Sequence, residues 1–102
     1  MPVHEPRVTL QGLQVLHAFI EAGGKELSGA DVVRLTGLLS GTLYPILIRF
    51  KHAGWLSDRW EDNDPIELGR PKKRFYRLTG AGQLAYRRNL PSGIGGELSW
   101  AR

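Results

Sequence analysis

Residues 38–56, LLSGTLYPILIRFKHAGWL, hold one short helix with two unlike faces. Leu43, Ile46, Leu47 and Phe50 recur at the i, i+3, i+4, i+7 spacing of a buried helical stripe. Ser40 is the expected N-cap, and Gly54 the left-handed residue that ends the helix. The opposite face carries Gly41, Thr42, Pro45, Arg49 and His52, with Tyr44 and Lys51 on its flank. A hydroxyl, a phenol and cations set against an apolar stripe suit a helix lying on a phosphate-rich surface. A solvated amphipathic helix in any small domain has the same outline. The functional expectation is a recognition helix of a helix-turn-helix, spanning residues 40–53.

The rest of the chain supplies the partners such a helix needs. Thr9 caps a first helix running to about Ala22 and stopped by Gly23 and Gly24. Leu10, Leu13, Leu16 and Ile20 form a core stripe on it. Val8, Val15, Phe19 and Ala22 form a second apolar stripe that another element or another subunit must cover, and a homodimer contact is expected there. Residues 25–27 allow a minimal strand. Ser28 and Asp31 have the capping-box spacing ahead of a short helix through Val32, Val33 and Leu35, and Thr36-Gly37 turns the chain into the recognition helix.

After Gly54 the period changes from helical to alternating. Residues 55–60 and 72–78 read as strands, the second with Tyr76 and Leu78 on one side and Phe75 and Arg77 on the other. Residues 61–65 form a turn cluster and 66–71 continue it as loop, so the pair is a β-hairpin with a long tip. Thr79 caps a last helix through Leu84, Ala85 and Tyr86 that ends near Asn89 or Leu90, before Pro91. Residues 91–102 lack periodicity, though Leu98 and Trp100 offer apolar side chains for docking. The order predicts an α+β, mainly α fold: a winged helix-turn-helix with a three-helix core, a β-hairpin wing and a C-terminal helix. An N-terminal arm (1–8) precedes the DNA-binding domain (9–90), and a loose tail (91–102) follows it.

The 102 residues fit a single domain. A formal charge of +4 and a pI near 9.9 favour a polyanionic partner, and the distribution says more than the total. Asp58, Glu61, Asp62, Asp64 and Glu67 meet only Arg59, whereas Arg70, Lys72, Lys73, Arg74, Arg77, Arg87 and Arg88 follow with no acid among them. A basic wing (70–77) gripping phosphates explains this segregation. A solvated hairpin with weak cross-strand ion pairs is the plainer explanation. With no cysteine, disulfides and thiolate metal sites are excluded. His4, His17 and His52 lack companions at ligand spacing, Asp62 and Asp64 lie in no EF-hand pattern, and residues 93–96 form no phosphate loop. Residues 38–41 are not a nucleophile elbow. Neither catalysis nor a cofactor is expected. No apolar run approaches a membrane span and residues 1–10 lack a secretory signal, so a cytoplasmic, nucleoid-associated protein is expected.

Three separated motifs, Gly41-Thr-Leu-Tyr-Pro-Ile-Leu47, Gly54-Trp-Leu56 and Gly69-Arg-Pro-Lys-Lys-Arg-Phe-Tyr-Arg-Leu-Thr79 followed by Ala81-Gly82, resemble the PadR family of bacterial regulators. The resemblance covers roughly residues 28–85 and implies a homodimeric repressor on a pseudo-palindromic operator, with a small-molecule effector as a further candidate partner. It implies that Ser40, Thr42, Tyr44 and Arg49 face double-stranded DNA and that residues 70–74 form the wing. With Gly41 and Pro45 at the same surface, the expected DNA-binding set is Ser40, Gly41, Thr42, Tyr44, Pro45, Arg49, Arg70, Lys72, Lys73 and Arg74. Ile48 departs from the family, which often has a basic or polar residue there, and so do Ala30 to Val32 in the second helix. Larger members carry a long C-terminal helical region; this sequence resembles the short subgroup, in which the first and last helices pair the subunits. A dimer pocket lined by Trp55, Trp60 and Trp100 is the corresponding candidate ligand site. The competing function is a winged-helix protein-interaction module using the acidic 58–67 stretch and Trp60, and MarR-like or ArsR-like regulators are the neighbouring families.

Overall fold

Every described helix but one starts at a short side chain that accepts from its first turn. A computed structural model describes residues 6–90. In chain order these form α1 (Leu10–Glu21), β1 (Leu27–Ser28), α2 (Gly29–Thr36), α3 (Ser40–His52), β2 (Leu56–Trp60), α4 (Pro65–Leu68), β3 (Arg74–Leu78) and α5 (Gly80–Arg88). The side chains of Thr9, Ser28, Asp64 and Thr79 cap α1, α2, α4 and α5. The Ser28–Asp31 capping box is complete, each residue's side chain accepting from the other's backbone N–H.

The strands form an antiparallel sheet in the order β1-β3-β2, with Leu27 and Asp58 flanking Tyr76 from either side. Alternation turns Leu56, Asp58, Trp60, Arg74 and Tyr76 toward the helices, and Ser57, Arg59, Phe75 and Arg77 away. Leu13, Leu16 and Phe19 of α1 meet Leu43, Leu47 and Phe50 of α3 in the core, which Val32, Trp55, Tyr76 and Ala85 close. Fully burying a side chain of this size contributes about 1.5–3 kcal/mol. Two close backbone approaches tighten the packing. A β-carbon on Gly12 would lie 3.1 Å from the Phe50 ring, and one on Gly82 would collide with the carbonyl oxygen of Trp55.

Several sequence expectations change. The second stripe of α1 is not free for a partner subunit: Val15 and Phe19 are fully buried in their own chain's core, with Val8 and Ala22 half-buried. The sheet and the other helices cover α1 on two sides, so both stripes face one core, and Leu10 is the member left exposed. Ser40 is the first helical residue rather than the cap; the cap position is Leu39, which makes no side-chain bond. The hairpin tip is not all loop, because Asp64 and Pro65 start the single turn α4 and Gly69 ends it at φ 67°. Trp55 is a core residue packed 5.1 Å from the Phe50 ring, not a pocket lining. Trp100, Leu98 and the whole 91–102 tail lie outside the described residues, as does most of the 1–8 arm.

Candidate nucleic-acid interface

Between α2 and α3 the helix axis turns by 118°, within the range of a helix-turn-helix. Gly37 makes that turn at φ 74°, and Thr36 closes it by donating to the Val32 carbonyl (2.7 Å) while accepting from Leu38 N–H (3.2 Å). The buried stripe of α3 then fixes what points outward. Ser40, Gly41, Tyr44, Pro45, Ile48, Arg49 and His52 are exposed and Thr42 half-exposed, as the spacing predicts.

This outer face is poorly chosen for helix stability. Pro45 in the helix interior removes one hydrogen bond and crowds the carbonyl four residues back, at a cost of about 3 kcal/mol in an ordinary helix. That residue is Gly41, itself a few tenths of a kcal/mol less favourable than alanine in the first turn of a helix. Nothing within 4 Å would obstruct a β-carbon at Gly41, so internal packing does not require the glycine. Local rules broken on an exposed face point to a demand from outside the chain.

Tyr44 is held by α2 rather than left to swing. Its ring lies over Gly29, where a β-carbon would come within 2.7 Å of the ring atoms Cε1 and Cζ and closer still to the hydroxyl. The phenol remains 42% exposed at the edge of the outer face.

The wing is tied to the same flank of α3. Asp58 on β2 accepts from Lys51 of α3 (3.1 Å) and from Arg74 Nε of β3 (2.5 Å). Burial alone would raise the Asp58 pKa, but hydrogen bonds from Lys51 and Arg74 outweigh it and hold the carboxyl below its ordinary value. The Arg74 guanidinium also stacks 5.2 Å from the centre of the Trp60 ring. At the tip, Arg70 donates to both oxygens of Glu61, whose carboxylate also accepts from Lys73 N–H. The Arg70 guanidinium, with that backbone bond, holds Glu61 down to about 2.

The expected DNA-binding cations therefore divide into two groups. Arg70 and Arg74 are engaged by Glu61 and Asp58 and act as struts of the hairpin. Arg49, Lys72 and Lys73 form no ion pair among the described residues, Arg49 on α3 and the two lysines on the wing. Asp58 and Lys51 were not among the expected site residues; the signal was an acid on the inward side of an alternating strand. The acidic residues Asp62, Asp64 and Glu67 sit at the far tip around Ile66, the most exposed large apolar residue described.

Among the described residues no group of histidines and carboxylates could hold a metal ion, and no single helix is long and apolar enough to cross a membrane. A comparison with curated proteins found no match. Among solved structures, Bacillus subtilis PadR in complex with operator DNA superposes with a TM-score of 0.66 at 17% identity, over 88% of this chain and 54% of that one. A PadR family transcriptional regulator from Eggerthella lenta gives 0.61 at 20% identity, covering 76% of this chain and 69% of that one. Bordetella bronchiseptica BpsR, described by the regulation of its DNA binding by 6-hydroxynicotinic acid, gives 0.65 at 23% identity, covering 86% and 59%. The chain thus spans less than two thirds of two of these three proteins. These likenesses show the fold. The sequence model described as the transcriptional regulator PadR-like family matches residues 12–88, most of the chain, and with the winged helix-turn-helix it fills, this chain belongs to the PadR-like family of transcriptional regulators.

Proposed function

We propose that the chain is a sequence-specific DNA-binding regulator that sets residues 40–53 in the major groove and lays the wing, residues 70–77, along the neighbouring backbone. The observation that carries this reading is the Asp58 tie, which holds the cationic hairpin against the Tyr44–Lys51 flank of α3. One duplex can then meet Arg49 from the helix and Lys72 and Lys73 from the wing. Tyr44, Ser40 and Thr42 supply hydroxyl donors for phosphate oxygens, and no side chain caps the first turn of α3. The finer assignment is a repressor binding as a homodimer to a pseudo-palindromic operator. Exposed Leu10 and Leu84, on two helices that pack together, are the apolar side chains a second copy would cover. An open groove of about 300 Å³ lined by Phe19, Ile20, Leu78 and Gln83 is one place among the described residues to look for a small-molecule effector.

Selecting duplexes from a random pool with the purified chain tests the reading. A recurring motif, two-fold symmetric and bound less tightly by Arg49→Ala, is the expected result. No retention of any duplex at low salt would reject it. The second reading, a protein-interaction module, is favoured by Trp60 and Ile66 exposed beside the acidic tip. It predicts that Ile66→Asp abolishes partner capture and that Arg49→Ala changes nothing.

A further inference from the structure

The middle of the outer face of α3 has almost nothing with which to hydrogen-bond a base. On a helical projection Gly41, Pro45, Ile48 and His52 run down its centre line, at i, i+4, i+7 and i+11. Tyr44 and Lys51 border that line on the wing side, and Thr42 and Arg49 border it on the other. Only His52, in the last turn, offers a polar group to whatever lies directly beneath. Ile48 is 51% exposed in this position although the buried stripe of the same helix is complete without it. An isoleucine left half in water at the centre of a binding face gains by meeting an apolar group there.

We infer that Ile48, seated beside the ring of Pro45, is a specificity-determining residue that reads the 5-methyl group of a thymine. In the major groove that methyl is the one apolar feature by which a base pair can be told from the others. Gly41 serves the same contact from above, because a helix without a β-carbon in its first turn can approach the base edges closely. The centre of each recognised half-site then holds a T·A pair selected through van der Waals contact, not a guanine held by a bidentate cation. The inference rests on the DNA-binding reading above.

The test uses a duplex obtained by selection with the full chain, in which each thymine is replaced in turn by deoxyuridine. This substitution removes the methyl and leaves every hydrogen-bonding group of the base pair in place. The wild-type protein should lose about fourfold in affinity at one thymine per half-site, the transfer value of one buried methyl-sized group. Ile48→Ala should bind the thymine and deoxyuridine duplexes at that position equally, with its melting temperature confirming the fold. Wild-type affinity indifferent to every thymine methyl would overturn the inference while leaving DNA binding intact. So would full methyl dependence persisting in Ile48→Ala. Failure to select any duplex would instead remove the reading on which it rests.

Discussion

Replacing Gly29 by alanine should damage DNA binding while leaving the fold almost untouched. The new β-carbon would sit within 2.7 Å of the Tyr44 ring, closer than van der Waals contact permits, so the ring must move. It can do so cheaply. The colliding atoms are the far end of a side chain already 42% exposed, and rotation carries them into solvent. Lost ring packing costs on the order of 1 kcal/mol, against which alanine recovers a few tenths over glycine in the first helical turn. Net destabilisation stays within about 1 kcal/mol, a melting shift of no more than roughly 8 °C for a domain of this size. On the proposed DNA-binding reading, displacement of the Tyr44 hydroxyl would by contrast remove a hydrogen bond to a charged phosphate, worth about 1.5–3 kcal/mol, or roughly ten- to a hundredfold in Kd. The assay is thermal unfolding together with fluorescence anisotropy on a selected duplex, for Gly29→Ala, Tyr44→Phe and the double variant. If both changes act through the same hydroxyl, the double variant binds no worse than the weaker single. A melting drop beyond 15 °C would show that Tyr44 has nowhere to go. Unchanged affinity in Gly29→Ala would show that its hydroxyl does not touch DNA, and either result refutes the reasoning.

Phe50→Ala removes a ring that is 1% exposed at the crossing of α1 and α3, and should cost about 3–5 kcal/mol, on the order of the domain's whole stability; denaturant titration measures it. Glu61 is held at about 2 in the folded wing against 4.5 ordinarily, so its contribution is present above pH 4.5 and lost as pH falls toward 2. The Glu61 carboxyl resonance should accordingly titrate near 2, and Glu61→Gln should remove the extra loss of protection that the Lys73 amide shows, beyond intrinsic exchange, as pH falls toward 2. Lys72→Ala combined with Lys73→Ala should weaken all duplexes alike and reduce the slope of log K against log salt by about 2 for each subunit bound, read from anisotropy at several salt concentrations.

Much of this fold was legible because local and long-range signals agree. Thr9, Ser28 and Thr79 sit where apolar periodicity begins, and each caps a helix. Gly37 and Gly54 stand where periodicity stops, and each has positive φ. The failures share a different cause. A periodic stripe says that a side chain is buried but not by what, so Val15 and Phe19 were legible as apolar and illegible as members of the same core. Glycines inside helices carry no turn signal, and the close approaches at Gly12, Gly29 and Gly82 depend on partners far away in sequence. The same holds for charge. The segregation of acids from cations along the hairpin was visible, whereas the pairing of Arg70 with Glu61 and of Arg74 with Asp58 emerges only once the strands are in register. Helix α3 was the easiest to read, since one run of residues carries both its buried stripe and its outer face.

The claim on which the functional account depends is that the outer face of α3 and the cationic part of the wing meet a single duplex together. Titrating isotope-labelled protein with a selected duplex and following backbone amide shifts tests this directly. Concerted shifts are expected at residues 40–49 and 72–74, with the acidic tip at 62–67 unmoved. Shifts confined to the tip and to Trp60, or to one of the two basic elements without the other, would contradict it.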